Sequence, residues 1–275
     1  MRVVCRSAAS LQDVAGNLTV VGNRVVLTDS VIEFQGTGNV LVLESGVQLE
    51  GAKIRFYGND SVIHIGTSRR TFRAAVNVWN SCAFYIGPGF SFNGSSTVIS
   101  VSERTCVFVG ADAMFASGVV IRTADPHLIY DCESRARVNP SRSVLVGDHV
   151  WLGQDCTLLK GVRVGSGAVL AGGTMVTKDV PSNAIAAGNP ARIVKTGIAW
   201  ARPSVHAFTV EDSQRWATLP SDEFIYHPKS STWGDDLEVG LVGDGVPAQA
   251  KSSFMASLDY ASDKDRFALA TTEAV

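Results

Sequence analysis

A six-residue period runs through the middle of this chain. Reading every sixth residue from Val146 gives Val146, Leu152, Leu158, Val164, Leu170 and Val176, all aliphatic. The next position gives Gly147, Gly153, Leu159, Gly165, Ala171 and Thr177, which are mostly small. Four positions after each aliphatic residue come Val150, Cys156, Val162, Ala168, Thr174 and Val180, small or β-branched. This period fits neither an α-helix, which repeats at about 3.6, nor hairpin-linked strands with turns every roughly 8–12 residues. It fits short extended segments joined by regular corners. One aliphatic side chain per segment points inward, and small residues accept the corner, glycine best because it tolerates positive φ. Stacked coils then bury a continuous apolar column, with parallel ladders bonding coil to coil.

Fainter versions of the register occur upstream. Val109, Phe115 and Ile121 keep the spacing, as do Ile86, Phe92 and Val98. Before them VLVLESGVQLEG, IRFYG and SVIHIG alternate like strands with less regular corners. The expectation is one solenoid over about residues 18–195, irregular at its start and regular at its end. RRTFRA, from Arg69 to Ala74, reads as a loop. A larger excursion separates Ile121 from Val146, 25 residues apart where six would continue the coil. Its sequence, RTADPHLIYDCESRARVNPSRS, is polar and carries two prolines, and long loops in compact repeats are often functional. The organisation expected is a repeat domain over 1–197, with the excursion at 122–143, and a non-repeat extension over 198–275 that is partly helical or disordered, with a short helix between Val210 and Leu219.

Composition narrows the function classes. Hydrophobic residues make up 45% and charged ones 18% of 275 residues, which supplies a core and excludes a disordered chain. From Thr209 onward there are 12 acidic and 5 basic residues, leaving 19 basic and 14 acidic before it. A mildly basic body suits anionic small molecules, and it lacks the concentrated charge of a nucleic-acid binder. No apolar run reaches the roughly 18 residues of a membrane span, and the first residues lack a signal-peptide core. Cys5, Cys82, Cys106, Cys132 and Cys156 are odd in number and form no CxxC pair, so reduced thiols in a cytoplasmic protein are expected.

The segment VGDHVWLGQDCTLLKGVRVGSGAVLAGGTMVTKDVPSNAIAAGNPARIVK resembles the C-terminal coils of hexapeptide-repeat acyltransferases. ADPHLIYDCESRARVNPSRS resembles the active-site loop of the branch that contains sialic-acid capsule and surface-polysaccharide O-acetyltransferases. The resemblance covers roughly residues 105–200 and not the extension. It implies an all-β, left-handed parallel β-helix, a homotrimer, acetyl-CoA as donor, and active sites between adjacent subunits. The implied function is transfer of an acetyl group to a hydroxyl of a cell-surface polysaccharide or its sugar precursor, with no metal.

Such a transfer needs a base, a donor for the oxyanion and a site that brings thioester and acceptor together. His127 is the candidate base: it lies in the excursion, its D-x-H context matches the family, and imidazole changes charge near neutral pH. Trp151, in HVWLG, matches the family's partner tryptophan. The register sets it at a corner before the inward Leu152, so it faces outward, where its backbone N–H could meet the oxyanion and its ring could wall the acetyl slot. Asp125 and Asp131 flank His127, and either could orient its ring or merely cap a turn. For the donor, the resemblance implies Gly172 beside the pantetheine arm, Thr177 and Lys178 near the adenosine end, and Arg192 and Lys195 at the phosphates.

Other readings stay open. A zinc enzyme on the same solenoid needs three converging histidines, and only His127 and His149 lie in the relevant region. A non-catalytic glycan- or partner-binding β-helix, or an acetyltransferase for another small acceptor, is the alternative. His64, His149, His206 and His227 read as structural or surface residues. Arg69, Arg70 and Arg73 read as a solvated loop, and nothing activates Cys132 as a nucleophile.

Overall fold

The structure is a computed structural model of the chain and describes residues 2–94, 96–228, 233–242, 245–258 and 263–270. Within them the backbone winds as a three-sided parallel β-helix, each coil laying a short strand on each face in turn. The first face, the helix face, is a seven-stranded sheet running from Leu18–Val21 to Arg163–Val164. The second, the tryptophan face, is divided between a two-stranded sheet and a six-stranded sheet that includes Trp151–Leu152. The third, the open face, is an eight-stranded sheet ending at Met175–Val176. Antiparallel strands close two ladder ends, Val3–Cys5 against Val31–Phe34 and Arg192–Lys195 against Ile185–Ala187.

Two coil lengths share this frame. Before the excursion Val40 pairs with Val62 and Ile32 with Ile54, a coil of 22 residues. After it Leu152 pairs with Leu170 and Leu158 with Val176, a coil of 18, or three hexapeptides. The upstream coils are therefore regular, at a period that a six-residue comb does not see. Many of their strands bury two alternate side chains, such as Ile32 with Phe34 and Ile54 with Phe56. Phe34 and Phe56 stack at 4.6 Å and 5° inside the column.

The longer coil overturns two expectations. Val98, assigned to the core, is 37% exposed, and Ile99 is the buried residue. Seven residues rather than six separate Ile99 from Phe92, so the side-chain alternation shifts by one. The RRTFRA segment is more than a loop. Its Phe72 is fully buried, bridges Leu49 on the tryptophan face, and joins Phe84, Phe90 and Phe92 in an aromatic cluster.

The helix-face strands VLVL, VIHI, AFYI and CVFV are apolar on both sides, as strands covered on two faces are. Their outward residues Val40, Val62, Tyr85 and Phe108 form a second core with the extension. After α1 (Val210–Arg215), which starts in a Thr209–Asp212 capping box, come α2 (Trp233–Val242) and α3 (Ala248–Ala256). Helix α2 buries Trp233, Leu237 and Leu241, one stripe at a spacing of four. Gly240 lets α3 approach: a Cβ there would lie 2.7 Å from the Phe254 ring. Lys251 is buried between α3 and the sheet, its ammonium donating to Ser81 O at 2.5 Å, and burial pushes its pKa down. The tail positions 229–232, 243–244, 259–262 and 271–275 lie outside the described residues.

Candidate functional site

The excursion leaves after Val120–Arg122 on the open face and returns at Val144–Val146 on the helix face, so it stands on the corner between them. It folds back as a hairpin: Tyr130 bridges Arg137, Val138 N–H donates to Ile129 O at 2.9 Å, and Asp131 N–H to Ala136 O at 2.9 Å. Two tethers hold it. Arg137 forks onto Glu103, with Nη2 donating to Oε2 at 2.8 Å, while Ser141 Oγ donates to the same oxygen at 2.5 Å. Arg137, then Ser141, hold the Glu103 carboxyl down to about 2. Asn139, 5% exposed, donates to His127 O at 2.8 Å and accepts from Ile129 N–H at 2.9 Å.

His127 is exposed on this pinned loop, and among the described residues its ring has no hydrogen-bonding partner. The flanking carboxylates are engaged elsewhere. Asp125 Oδ2 accepts from Lys160 Nζ at 2.6 Å and from Asn139 Nδ2 at 3.1 Å, and Lys160, then Asn139, keep its carboxyl below the ordinary range. Asp131 Oδ1 accepts from Ser134 N–H at 2.7 Å and from Ser134 Oγ–H at 2.8 Å, capping the hairpin turn. Neither carboxylate bonds the His127 imidazole, so the orienting role weighed for them is replaced by loop anchoring. Leu128, Ile129, Tyr130 and Val138 are each more than half exposed, which gives the hairpin an apolar lip.

Trp151 does face outward, 39% exposed, but from strand Trp151–Leu152 rather than from a corner. Its backbone N–H donates to Ala168 O at 2.9 Å in the parallel ladder. The backbone donor considered for an oxyanion is therefore already used, and the indole N–H is the group left. The tryptophan face is not adjacent to the corner from which His127 rises, since the open and helix faces meet there.

The residues expected to hold the donor divide in the same way. Thr177 and Lys178 stand on the excursion's own corner and line a cavity of about 710 Å³. Arg104, Arg142 and Arg163 also line it, facing Asp235 and Glu238 of α2. Gly172 lies on the corner between the tryptophan and open faces, exposed, where a Cβ would meet Gln154 O at 3.3 Å. Arg192 is exposed at the start of the closing strand Arg192–Lys195, and Lys195 is exposed at its end. The five do not converge within one chain. A separate opening of about 660 Å³ beneath Tyr57 holds no free base, because Arg2 and Gln35 fill the Glu33 carboxylate. Among the described residues no three His, Cys, Asp or Glu side chains could hold a metal ion, and no helix is long and apolar enough to cross a membrane.

Several residues that support the site were not singled out from the sequence. Lys160 and Asn139 carry no motif. Trp200, Arg202 and Phe224 follow the end of the repeat, where no period assigns a position. They gather on His149, which is 1% exposed.

No protein-family profile matches the chain. A polysialic acid O-acetyltransferase of Neisseria meningitidis is 30% identical over 178 residues, 64% of this chain and 82% of that protein. One from Escherichia coli O1:K1 / APEC is 34% identical over 144 residues, 52% of this chain but only 42% of that protein's length. The crystal structure of the polySia-specific acetyltransferase NeuO superposes with a TM-score of 0.65 at 30% identity, covering 74% of this chain and 94% of that one.

Proposed function

Since the chain belongs to the hexapeptide-repeat acyltransferases, enzymes built on a left-handed parallel β-helix, we propose that it transfers an acetyl group from acetyl-CoA to a hydroxyl of a capsular polysaccharide or its precursor. Its relatives' acceptor, polysialic acid, makes an acidic sialic-acid polymer the first acceptor to try. The observation that carries this reading is the His127 imidazole, exposed and unbonded on a loop fixed from both sides. A base must be free at its ring nitrogen and fixed in position, and this residue is both.

In this mechanism His127 takes the proton of the acceptor hydroxyl as its oxygen attacks the thioester carbonyl carbon. The carbonyl oxygen takes up the electron pair, and the Trp151 indole N–H stabilises that charge. Collapse breaks the C–S bond, and the departing thiolate regains the proton from the imidazolium. Thr177 and Lys178 bind the donor along the cavity at their corner. Gly172 leaves its corner without a side chain, and Arg192 and Lys195 face the phosphates with exposed cations.

His127 with Lys178, and Trp151 with Gly172, sit on different sides of the solenoid, so the working site is shared between neighbouring copies in a homotrimer. The apolar lip of the hairpin gives a neighbouring copy a surface to cover. The five unpaired cysteines, four of them buried, favour a cytoplasmic setting.

Subunit mixing tests the scheme. His127→Ala alone should lose roughly two to four orders of magnitude in kcat, as removal of a general base does. Trp151→Ala alone should also be impaired. Unfolded together and refolded as mixed trimers, the two variants should regain activity, because some interfaces then combine an intact imidazole with an intact indole. Failure to regain activity would reject the shared site, and a near-normal His127→Ala rate would reject the base.

A further inference from the structure

We infer that Trp200, from the segment following the repeat, is a positioning residue that holds the indole of Trp151 in its working orientation. The inference rests on the role proposed for Trp151. A large ring on a two-residue strand, 39% exposed, has little of its own coil to fix it. Met114 and Val169 flank it along the ladder, and both are flexible or small. The one rigid neighbour is Trp200, whose ring lies 5.9 Å away at 49°.

Trp200 is itself held from several directions. It is 8% exposed, its indole N–H donates to His149 O at 3.0 Å, and its carbonyl lies 3.0 Å from His149 Nε2. Its ring stacks on the His149 imidazole at 3.8 Å and 8°, and Phe224 covers the opposite face at 3.7 Å and 6°. His149 Nδ1 meets Asp112 Oδ2 at 2.6 Å, and Asp112 Oδ1 accepts from Arg202 Nε at 2.7 Å. Arg202 also donates to Ser91 Oγ at 2.8 Å and Asp112 O at 2.7 Å, which clamps the segment across two coils. So dense a set of contacts around a residue outside the repeat makes a fixed wall, and the open side of that wall is turned to Trp151. Geometry at the reacting centre is sensitive to small displacements, so the wall bears on turnover more than on binding.

The test uses the full chain, acetyl-CoA and polysialic acid, with thiol release as the rate. Trp200→Ala should lower kcat about tenfold with KM for acetyl-CoA little changed, while Trp200→Phe, which keeps a ring against His149, should stay within about threefold of the parent. Two tilted indoles this close should also give a coupled signal in circular dichroism, lost in Trp200→Phe and in Trp151→Phe alike. In a Trp151→Ala background, Trp200→Ala should cost nothing further, because its effect runs through the missing ring. Losses that multiply in the double variant, or an unchanged kcat in folded Trp200→Ala, would overturn the inference. Should the alanine variant not fold, Trp200→Leu takes its place: kcat below that of the phenylalanine variant supports the wall, and equal kcat overturns it. A normal rate in Trp151→Ala would remove the role of Trp151 itself, whereas a slow Trp151→Ala beside a normal Trp200→Ala would remove the positioning alone.

Discussion

The coils before the excursion and the coils after it turn the same three corners with different amounts of chain. The 22-residue coils have room for two inward side chains on many strands, and stacked rings such as Phe34 on Phe56 fill the wider column. The 18-residue coils admit one inward aliphatic residue per strand, such as Leu152, Leu158 and Leu170. Every candidate site residue lies in the excursion or beyond it. Short strands bring consecutive corners close together, so Thr177 and Lys178 come under the loop that carries His127. The wide coils hold most of the buried aromatic area, and the narrow coils hold the chemistry.

That division can be broken in order of effect. Phe56→Ala should lose about 3–5 kcal/mol in urea unfolding, because it opens a cavity under a stacked ring, while the folded fraction keeps its kcat. Leu170→Ala should lose about 2–3 kcal/mol and also slow turnover, because its strand pairs with that of Trp151. A larger stability loss at Leu170 than at Phe56 would undo the contrast. Trp151→Ala should lower kcat about tenfold, near 1.4 kcal/mol, with the urea midpoint unmoved, since the ring is outward. Lys178→Gln should raise KM for acetyl-CoA about threefold at constant kcat, as loss of uniform binding does; a fall in kcat instead would give Lys178 a part in the chemistry.

The smallest effect concerns the tether at the junction. The Glu103 carboxyl, held down to about 2 by Arg137 and Ser141, titrates lower in the folded chain than the roughly 4.3 of a free glutamate. Its contribution is therefore present above the unfolded value and lost as pH falls toward 2. The melting temperature of Glu103→Gln should lie slightly below the parent at pH 7, with the gap closing between about pH 5 and 2. A gap that stays constant over that range would show that the loop is held by something other than this carboxylate.

Much of the fold was legible because burial in a solenoid is periodic. The column from Val146 to Val176 could be named residue by residue, and the loop by the break in spacing. The wide coils were misread because a comb of six slips against a period of 22, which put Val98 where Ile99 belongs. The apolar runs VLVL, AFYI and CVFV did carry a signal for a covered outer face, although nothing in them names α2 and α3 as the cover. At the site, the outward tryptophan followed from its neighbour Leu152. The loss of its backbone N–H to the ladder did not, because hydrogen-bond partners lie a coil away. Asp125 flanks His127 in sequence yet binds Lys160, 35 residues on.

The repeat by itself determined the solenoid, its inward column and the place where the chain leaves it, because these depend on local backbone geometry and on alternation that any window of the sequence contains. The folded molecule alone decided which carboxylate meets which cation, how Trp200 comes to lie beside Trp151, and that the extension covers the helix face. Those are meetings between segments with no shared period, and their outcome is set by packing and charge across space rather than along the chain.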